Sequence, residues 1–139
     1  MATPRFYVDT SAYLCVLLGE TGNEALVREL EASELVSSSI LALEVYRNLV
    51  RLARQGDLSA ENHRTAVARF QSDLEQFALR DLTLDLCRSP VMPVITTPRS
   101  LDLAHLRTAL WYHQREPLTR FVSLDQAQIQ GATELGLPV

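Results

Sequence analysis

The 139-residue chain contains no lysine, so all thirteen of its basic residues are arginine. This absence excludes P-loop enzymes, which place a lysine on the phosphates, and enzymes that form a Schiff base through a lysine amine. With seventeen acidic residues the net charge is −4, which argues against a protein that coats nucleic acid. Local contact with phosphate stays open, because the planar guanidinium of arginine suits it.

Cysteine is scarce, and long apolar runs are absent. Cys15 and Cys87 lie in apolar settings without CxxC spacing, so we expect two buried free thiols in a reducing compartment and no disulfide framework. No run approaches the roughly 20 apolar residues of a membrane span, and the first residues are unlike a signal peptide. These observations predict a cytoplasmic protein without membrane contact.

Short apolar runs alternate with amphipathic patterns along the chain. Strands are predicted at residues 5–8, 34–38 and 121–123, with an ambiguous candidate at 79–84. Helices are predicted at residues 11–18, 24–32, 40–54, 60–77, 101–113 and 126–135. This alternation indicates one α/β domain over residues 1–139, in which a parallel sheet carries helices on both faces.

Local signals refine the ends of these elements. Ser39, Ser59 and Ser100 are expected as helix N-caps. Prolines interrupt residues 78–98, whose structure and role the pattern leaves open. Leu137-Pro138-Val139 is expected as a short last edge strand.

Four acidic residues stand where a strand ends or a helix begins: Asp9, Glu44, Asp102 and Asp125. Asp9 and Asp125 follow strands, and Glu44 and Asp102 are expected in the first turns of helices. In such folds, ligands bind outside the carboxyl ends of the strands, so we expect the four carboxylates to face one crevice. Two unit charges ~4 Å apart repel by about 4 kcal/mol at an effective dielectric of 20, and a cation would relieve this repulsion.

The chemistry of these acids points to a hard metal ion. Oxygen ligands without clustered cysteine or histidine favour Mg²⁺ or Mn²⁺, and such an ion can acidify a bound water for phosphodiester hydrolysis. The alternative is that acids at helix starts serve as caps. Spacing alone leaves the two interpretations open.

The residues around the acids resemble the motifs of a known family. Tyr7-Val8-Asp9-Thr10-Ser11-Ala12 is similar to the opening motif of the PIN-domain ribonucleases. Later segments resemble its other motifs in order: Ser37 to Val45, Arg99 to Leu106, and Phe121 to Asp125. More narrowly, the chain resembles the toxins of VapBC-type toxin–antitoxin pairs.

The resemblance implies a three-layer α/β/α fold around a central parallel sheet. It also implies a Mg²⁺- or Mn²⁺-dependent endoribonuclease toxin with an RNA substrate and a cognate antitoxin. The helices carry more apolar surface than one core needs, which predicts a homodimer or a toxin–antitoxin hetero-oligomer. Asp9 and Asp102 are then the main metal-ligand candidates, and Glu44 and Asp125 complete the catalytic acidic site.

Four further residues are candidates for substrate binding: Thr10, Ser11, Arg47 and Ser123. The hydroxyls of Thr10 and Ser11 suit a carboxylate or an RNA phosphate, or they cap the following helix. Ser123 either orients a carboxylate or water, or makes ordinary strand-end bonds. Arg47 opens a helical stripe with Arg51 and Arg54, which either guides phosphate or forms a salt-bridged surface.

Neighbouring positions qualify this interpretation. His105 lies one turn after Asp102, where a packing or supporting role is favoured over metal binding. Glutamines at 126, 128 and 130 stand where some relatives have a further acid, so a second metal would be weakly held.

Four competing interpretations differ in chemistry. A catalytically weak PIN-like regulator that binds RNA or protein is the main alternative, and a DNA-directed nuclease would use the same acids. A haloacid-dehalogenase-like phosphatase would need an acid where Ser11 stands, and a response-regulator receiver would need a lysine.

Overall fold

The computed structural model describes residues 2–89, 92–97 and 99–139. This part of the chain forms four strands and seven helices. In chain order they are β1 (Arg5–Val8), α1 (Thr10–Leu17), α2 (Glu24–Glu31), β2 (Glu34–Ser38), α3 (Ile40–Arg54), α4 (Ala60–Leu74), β3 (Phe77–Arg80), α5 (Leu84–Arg88), α6 (Ser100–Arg115), β4 (Arg120–Val122) and α7 (Gln126–Glu134).

The strands form one parallel sheet in the order β3-β2-β1-β4. β1 is central, because Phe6 pairs with Leu35 of β2 on one side and with Arg120 of β4 on the other. All carboxyl ends therefore lie along one edge of the sheet, which is where ligands bind in folds of this kind.

Alternating side chains of β1 build a core on each face of the sheet. Phe6 and Val8 pack with α1, α2, α3 and α4, whereas Tyr7 packs with α6 and α7. Burial on both faces explains why β1 is apolar at consecutive positions instead of alternating with polar residues. The predicted three-layer α/β/α fold with a central parallel sheet is confirmed.

The third strand differs from its prediction. It spans Phe77–Arg80 and not residues 79–84, and the helix before it ends at Leu74 instead of residue 77. Phe77 pairs with Leu35 and packs against the Tyr13 ring, with 5.9 Å between centroids, so tertiary pairing draws it out of the helix. The ladder stops at Arg80 because its partner Ser38 is the last residue of β2.

Helix starts follow the prediction in part. The Ser59 side chain accepts a hydrogen bond from the Asn62 amide and caps α4. The Ser39 hydroxyl makes no such cap and instead accepts from the Leu82 amide, which ties α3 to the end of β3. Ser100 is the first residue of α6 and not its cap.

Several smaller expectations also need correction. Glu44 lies beyond the first turn of α3. Cys15 is buried as expected, but Cys87 is exposed because it lies on the outer side of α5. Among the described residues, positions 137–139 form no strand, although the Phe121 amide donates to the Pro138 carbonyl at 2.7 Å.

The ambiguous segment 78–98 contains the end of β3 and the short helix α5, while Pro90, Val91 and Pro98 lie outside the described residues. Among the described residues, no helix has the length and apolar character needed to cross a membrane.

Two neighbouring residues of α3 test the placement of the core. Leu49 is fully buried, whereas Val50 is 54% exposed. We expect Leu49→Ala to lower the free energy of unfolding by about 2–5 kcal/mol, because it leaves a cavity. Val50→Ala should change it by no more than about 0.5 kcal/mol. Urea denaturation measures both, and equal effects would contradict the assigned faces of α3.

The contact between α6 and α7 makes a second prediction. A Cβ at Gly131 would lie 2.7 Å from Leu106 Cδ1 and 3.0 Å from the Thr96 carbonyl oxygen. Gly131→Ala should therefore destabilise the protein by about 1–3 kcal/mol through overpacking, although alanine is the better helix former by about 1 kcal/mol. Gln126→Ala, at an exposed position of the same helix, is the control for thermal unfolding. A stabilised Gly131→Ala protein would refute the close approach.

Candidate active site

A cleft of about 540 Å³ opens at the carboxyl edge of the sheet. Its lining includes all four acids singled out by the sequence, together with Thr10, Ser11 and Arg47. The other residues that line it are Leu14, Asn48, Arg99, Ser100, Leu101 and His105. The acids come from four separate segments: the residue after β1, the second turn of α3, the start of α6 and the residue before α7.

Asp9 is the buried acid at the centre of this edge. Its Oδ1 accepts from the Ser11 hydroxyl at 2.7 Å and from the Ala12 amide at 3.1 Å, so it also caps α1. Its Oδ2 accepts from the Ser123 hydroxyl. Burial raises the pKa of Asp9, and the bonds from Ser123, Ser11 and Ala12 oppose that rise. Ionisation of Asp9 is therefore costly in the fold, and these donors offset part of that cost.

The two serine hydroxyls also fix the chain beyond β4. Ser11 Oγ accepts from the Leu124 amide at 2.9 Å, and Ser123 Oγ accepts from the Asp125 amide at 3.1 Å. Each hydroxyl thus joins the Asp9 carboxylate to the segment that carries Asp125. Ser11 and Ser123 therefore both donate a hydrogen bond to a carboxylate, which is one of the two roles expected for each of them.

Glu44 is held by a buried polar chain that reaches the sheet. Glu44 Oε1 lies 2.7 Å from His105 Nε2 and accepts from the Thr10 hydroxyl at 2.8 Å. His105, which is 3% exposed, places Nδ1 2.7 Å from the Tyr7 hydroxyl. His105 therefore stands between the core and a carboxylate of the cleft, the supporting position expected for it.

The environments of these groups assign the direction of the hydrogen bonds. Burial would raise the pKa of Glu44, but the His105 bond and charge, the Thr10 bond and Arg47 outweigh it and lower that pKa. Burial raises the pKa of Tyr7 well above its ordinary value. An ionised carboxylate can only accept hydrogen bonds. Nε2 of His105 therefore donates to Glu44, and Nδ1 of the same ring shares a hydrogen bond with the Tyr7 hydroxyl.

Asp102 and Asp125 form the second half of the cleft. Asp125 accepts from the Ala127 amide at 2.9 Å and caps α7. Burial raises the pKa of Asp102; Arg99 opposes the rise, and the negative charges of Asp125 and Glu44 add to it. Arg99 Nε lies 3.5 Å from Asp102 Oδ2, and Arg99 Nη2 lies 4.0 Å from Asp125 Oδ2.

The cleft has the donor chemistry of a cation site, although its side chains are paired with other groups. As they stand, no group of three or more histidine, cysteine, aspartate or glutamate side chains among the described residues is arranged to hold a metal ion. Asp102 Oδ2, however, is buried and has no hydrogen-bond partner in the described part of the chain. An unsatisfied carboxylate oxygen among like charges fits a hard divalent cation.

Sequence reasoning gave no role to two residues that hold the site together. The Asn48 side chain donates to the Glu44 carbonyl at 2.8 Å, and buried Gln128 donates to the Asp102 carbonyl at 3.1 Å. The i+4 spacing of Asn48 from Glu44 was the available signal for the first. Gln128 follows Asp125 by three residues and is drawn inward by α7, which no local pattern indicates.

The arginine stripe of α3 divides into two environments. Arg47 lines the cleft, whereas Arg51 donates to Asn48 at 3.1 Å and to Gln55 at 3.2 Å on the helix surface. One arginine of the predicted stripe therefore faces the acids, and the next one is engaged in local helix contacts.

Comparison with known families gives a consistent assignment. The model of the PIN domain family matches residues 6–125, which spans β1 to the last acid of the cleft. The comparison with curated proteins found no match. PIN domains are generally metal-dependent nucleases and typically use Mg²⁺ or Mn²⁺. Fold and family match agree, and the chain belongs to the PIN domain family.

Proposed function

We propose that residues 1–139 form a single nuclease domain, a metal-dependent endoribonuclease that acts as the toxin of a type II toxin–antitoxin pair. The convergence of Asp9, Glu44, Asp102 and Asp125 on one cleft carries this proposal. Acids from four segments are costly to gather without a cation, and the family to which the chain belongs generally consists of metal-dependent nucleases.

In this proposal Asp9 and Asp102 hold Mg²⁺ or Mn²⁺, with Glu44 and Asp125 completing the set directly or through water. The ion supplies a more acidic bound water and stabilises negative charge on the phosphate. The chain's own residues orient the carboxylates, and no side-chain nucleophile is required.

The supporting roles follow from the contacts. Ser11 and Ser123 keep Asp9 aimed at the cleft, and Thr10 and His105 keep Glu44 ionised and oriented. Arg47, exposed at the rim, binds a phosphate of the RNA through its guanidinium.

The partner in this proposal is a cognate antitoxin that covers the cleft in the cytoplasm, with the toxin as a homodimer or a hetero-oligomer. Leu43 is 69% exposed and Leu101 44% exposed, and Leu14 and Leu101 line the cleft itself. Apolar side chains beside a charged cleft are typical of a protein-binding surface, which supports this partner.

The alternative is a catalytically weak PIN-like regulator that binds RNA or protein. It is favoured because, among the described residues, no three histidine, cysteine, aspartate or glutamate side chains are already arranged to hold a metal ion. Calorimetric titration with Mn²⁺ distinguishes the two functions. The endoribonuclease must bind the ion, whereas the absence of binding at millimolar Mn²⁺ would favour the regulator.

Loss of Asp9 should abolish cleavage. We expect Asp9→Asn to cut RNA more than about 100-fold slower than the wild type with Mn²⁺ present, because changes even to outer-sphere partners cost about 10–100-fold. EDTA should have the same effect on the wild type. Fluorescent RNA cleavage and growth arrest on induced expression measure the change.

Asp57→Asn is the matched control, since Asp57 is an exposed acid in the turn between α3 and α4. It should cleave as the wild type does, and far-UV circular dichroism should show all three proteins folded. Full activity of a folded Asp9→Asn protein would sink the nuclease assignment. Faster cutting of single-stranded DNA than of RNA would redirect it to a DNA nuclease.

Ionisation of Asp102 should reduce the stability of the protein in EDTA as the pH rises from acid to neutral. Burial raises the pKa of Asp102 in the folded chain. Between the unfolded pKa and this raised value the folded state binds more protons, so the free energy of unfolding falls with increasing pH. This loss of stability is absent below 3.8, the ordinary pKa of the aspartate side chain, and develops as the pH rises through the raised pKa of the folded state.

Asp102→Asn removes this ionisation. In EDTA it should melt above the wild type at pH 7, with the difference shrinking as the pH is lowered. Adding Mn²⁺ should raise the melting temperature of the wild type and leave that of the variant unchanged. A variant less stable than the wild type at pH 7 in EDTA would show that Asp102 carries no such electrostatic cost.

A further inference from the structure

Arg99 is a positive charge of the chain itself placed over the acidic cleft. It is the residue that precedes α6, and its guanidinium reaches both Asp102 and Asp125, at 3.5 Å and 4.0 Å. Its side chain is 75% exposed, while that of Asp102 is 18% exposed. The arginine therefore covers the acids from the solvent side.

The contact is one of charge and not of fixed hydrogen bonds. Both distances exceed those of good N–H···O bonds, and Asp102 Oδ2 has no hydrogen-bond partner among the described residues. The guanidinium itself lies in solvent, where ion pairs contribute about 0–1 kcal/mol, although Asp102 is only 18% exposed. The guanidinium can leave the carboxylates at little cost in stability.

Hydrogen bonding at the start of α6 holds the carbonyl of the exposed residue Arg99. Three residues before it, Thr96 donates its amide and its hydroxyl to the Glu134 carboxylate at 2.6 Å and 3.0 Å. The Arg99 carbonyl accepts from the Leu103 amide at 3.1 Å in the first turn of α6. Arg99 is thus held at the cleft through its carbonyl, while its long exposed side chain leaves the guanidinium free to be replaced by another cation.

A divalent cation and this guanidinium would compete for the same oxygens. If Asp102 and Asp125 bound a divalent ion, the guanidinium of Arg99 would lie close to that ion. The two positive charges would then repel each other. Arg47 also lines the cleft, but the ion pairs of the described residues include none between it and the four acids. Arg99 is thus the arginine whose release metal binding requires.

We infer that Arg99 alternates between two anions: it neutralises Asp102 and Asp125 in the metal-free protein and binds a phosphate of the RNA once a divalent cation has taken the carboxylates. The second half rests on the proposed nuclease function, and the first half does not. At the mouth of the cleft its planar fork of donors suits a phosphate. Arg99 is therefore a positioning and substrate-binding residue that also sets the metal concentration at which the site fills.

Calorimetric titration with Mn²⁺ alone tests the competition. Arg99→Gln should bind Mn²⁺ about three- to tenfold more tightly than the wild type, the size of one or two exposed ion pairs. Arg99→Lys keeps the charge and should bind as the wild type does. Arg64→Gln makes the same charge change at an exposed position of α4 and should also leave the affinity unchanged. Raising the NaCl concentration should shrink the gain of Arg99→Gln, because exposed charges are screened.

RNA cleavage at saturating Mn²⁺ tests the phosphate contact. Arg99→Gln should raise KM about three- to tenfold with little change in kcat, while Arg64→Gln keeps both values. An unchanged KM would overturn the phosphate role.

Equal or weaker Mn²⁺ binding by Arg99→Gln, including no binding by either protein, would overturn the competition. The two proposals fail separately. A wild type that binds Mn²⁺ but cuts no RNA removes the nuclease function and leaves the competition standing. A wild type that cuts RNA while Arg99→Gln binds Mn²⁺ no better removes the role of Arg99 alone.

Discussion

The buried charge of Asp9 is the constraint on which the rest of the site depends. Its carboxylate sits at the end of the central strand, and three short donors from Ser11, Ala12 and Ser123 are what make its burial tolerable. Those donors come from both sides of the sheet edge, so satisfying one charge also fixes the start of α1 and the segment after β4. Geometry at the edge is therefore a consequence of electrostatics as much as of packing.

The strands and most helices follow from hydrophobic periodicity, because the protein buries both faces of a parallel sheet. β3 was misplaced because Phe77 fits equally well as the last apolar residue of a helix, and its pairing with Leu35 decides otherwise. Asp9 and Asp125 could be found because they follow apolar strands, and Glu44 and Asp102 because they stand near the starts of helices that the sequence also indicates. Their partners could not, since Tyr7, His105 and Glu44 meet only through the packing of α3 and α6 against the sheet.

The acids of the cleft fall into two groups whose pKa values are shifted in opposite directions. Glu44 is made more acidic by its neighbours, whereas burial makes Asp9 and Asp102 harder to ionise. Burying carboxylates whose pKa is raised costs folding free energy when they ionise. Arg99 opposes this cost at Asp102, and because its side chain is 75% exposed it does so without filling the cleft.

The bond between Ser123 and Asp9 joins residues 114 positions apart. During synthesis, the first acid leaves the ribosome long before its last partner, and no nascent chain that stops short of residue 123 can complete the hydrogen bonds of Asp9. The cleft is therefore among the last features to assemble. A chain that stops there carries Asp9, Glu44 and Asp102 without their arrangement and lacks Asp125, so translation itself delays the appearance of whatever activity the cleft confers.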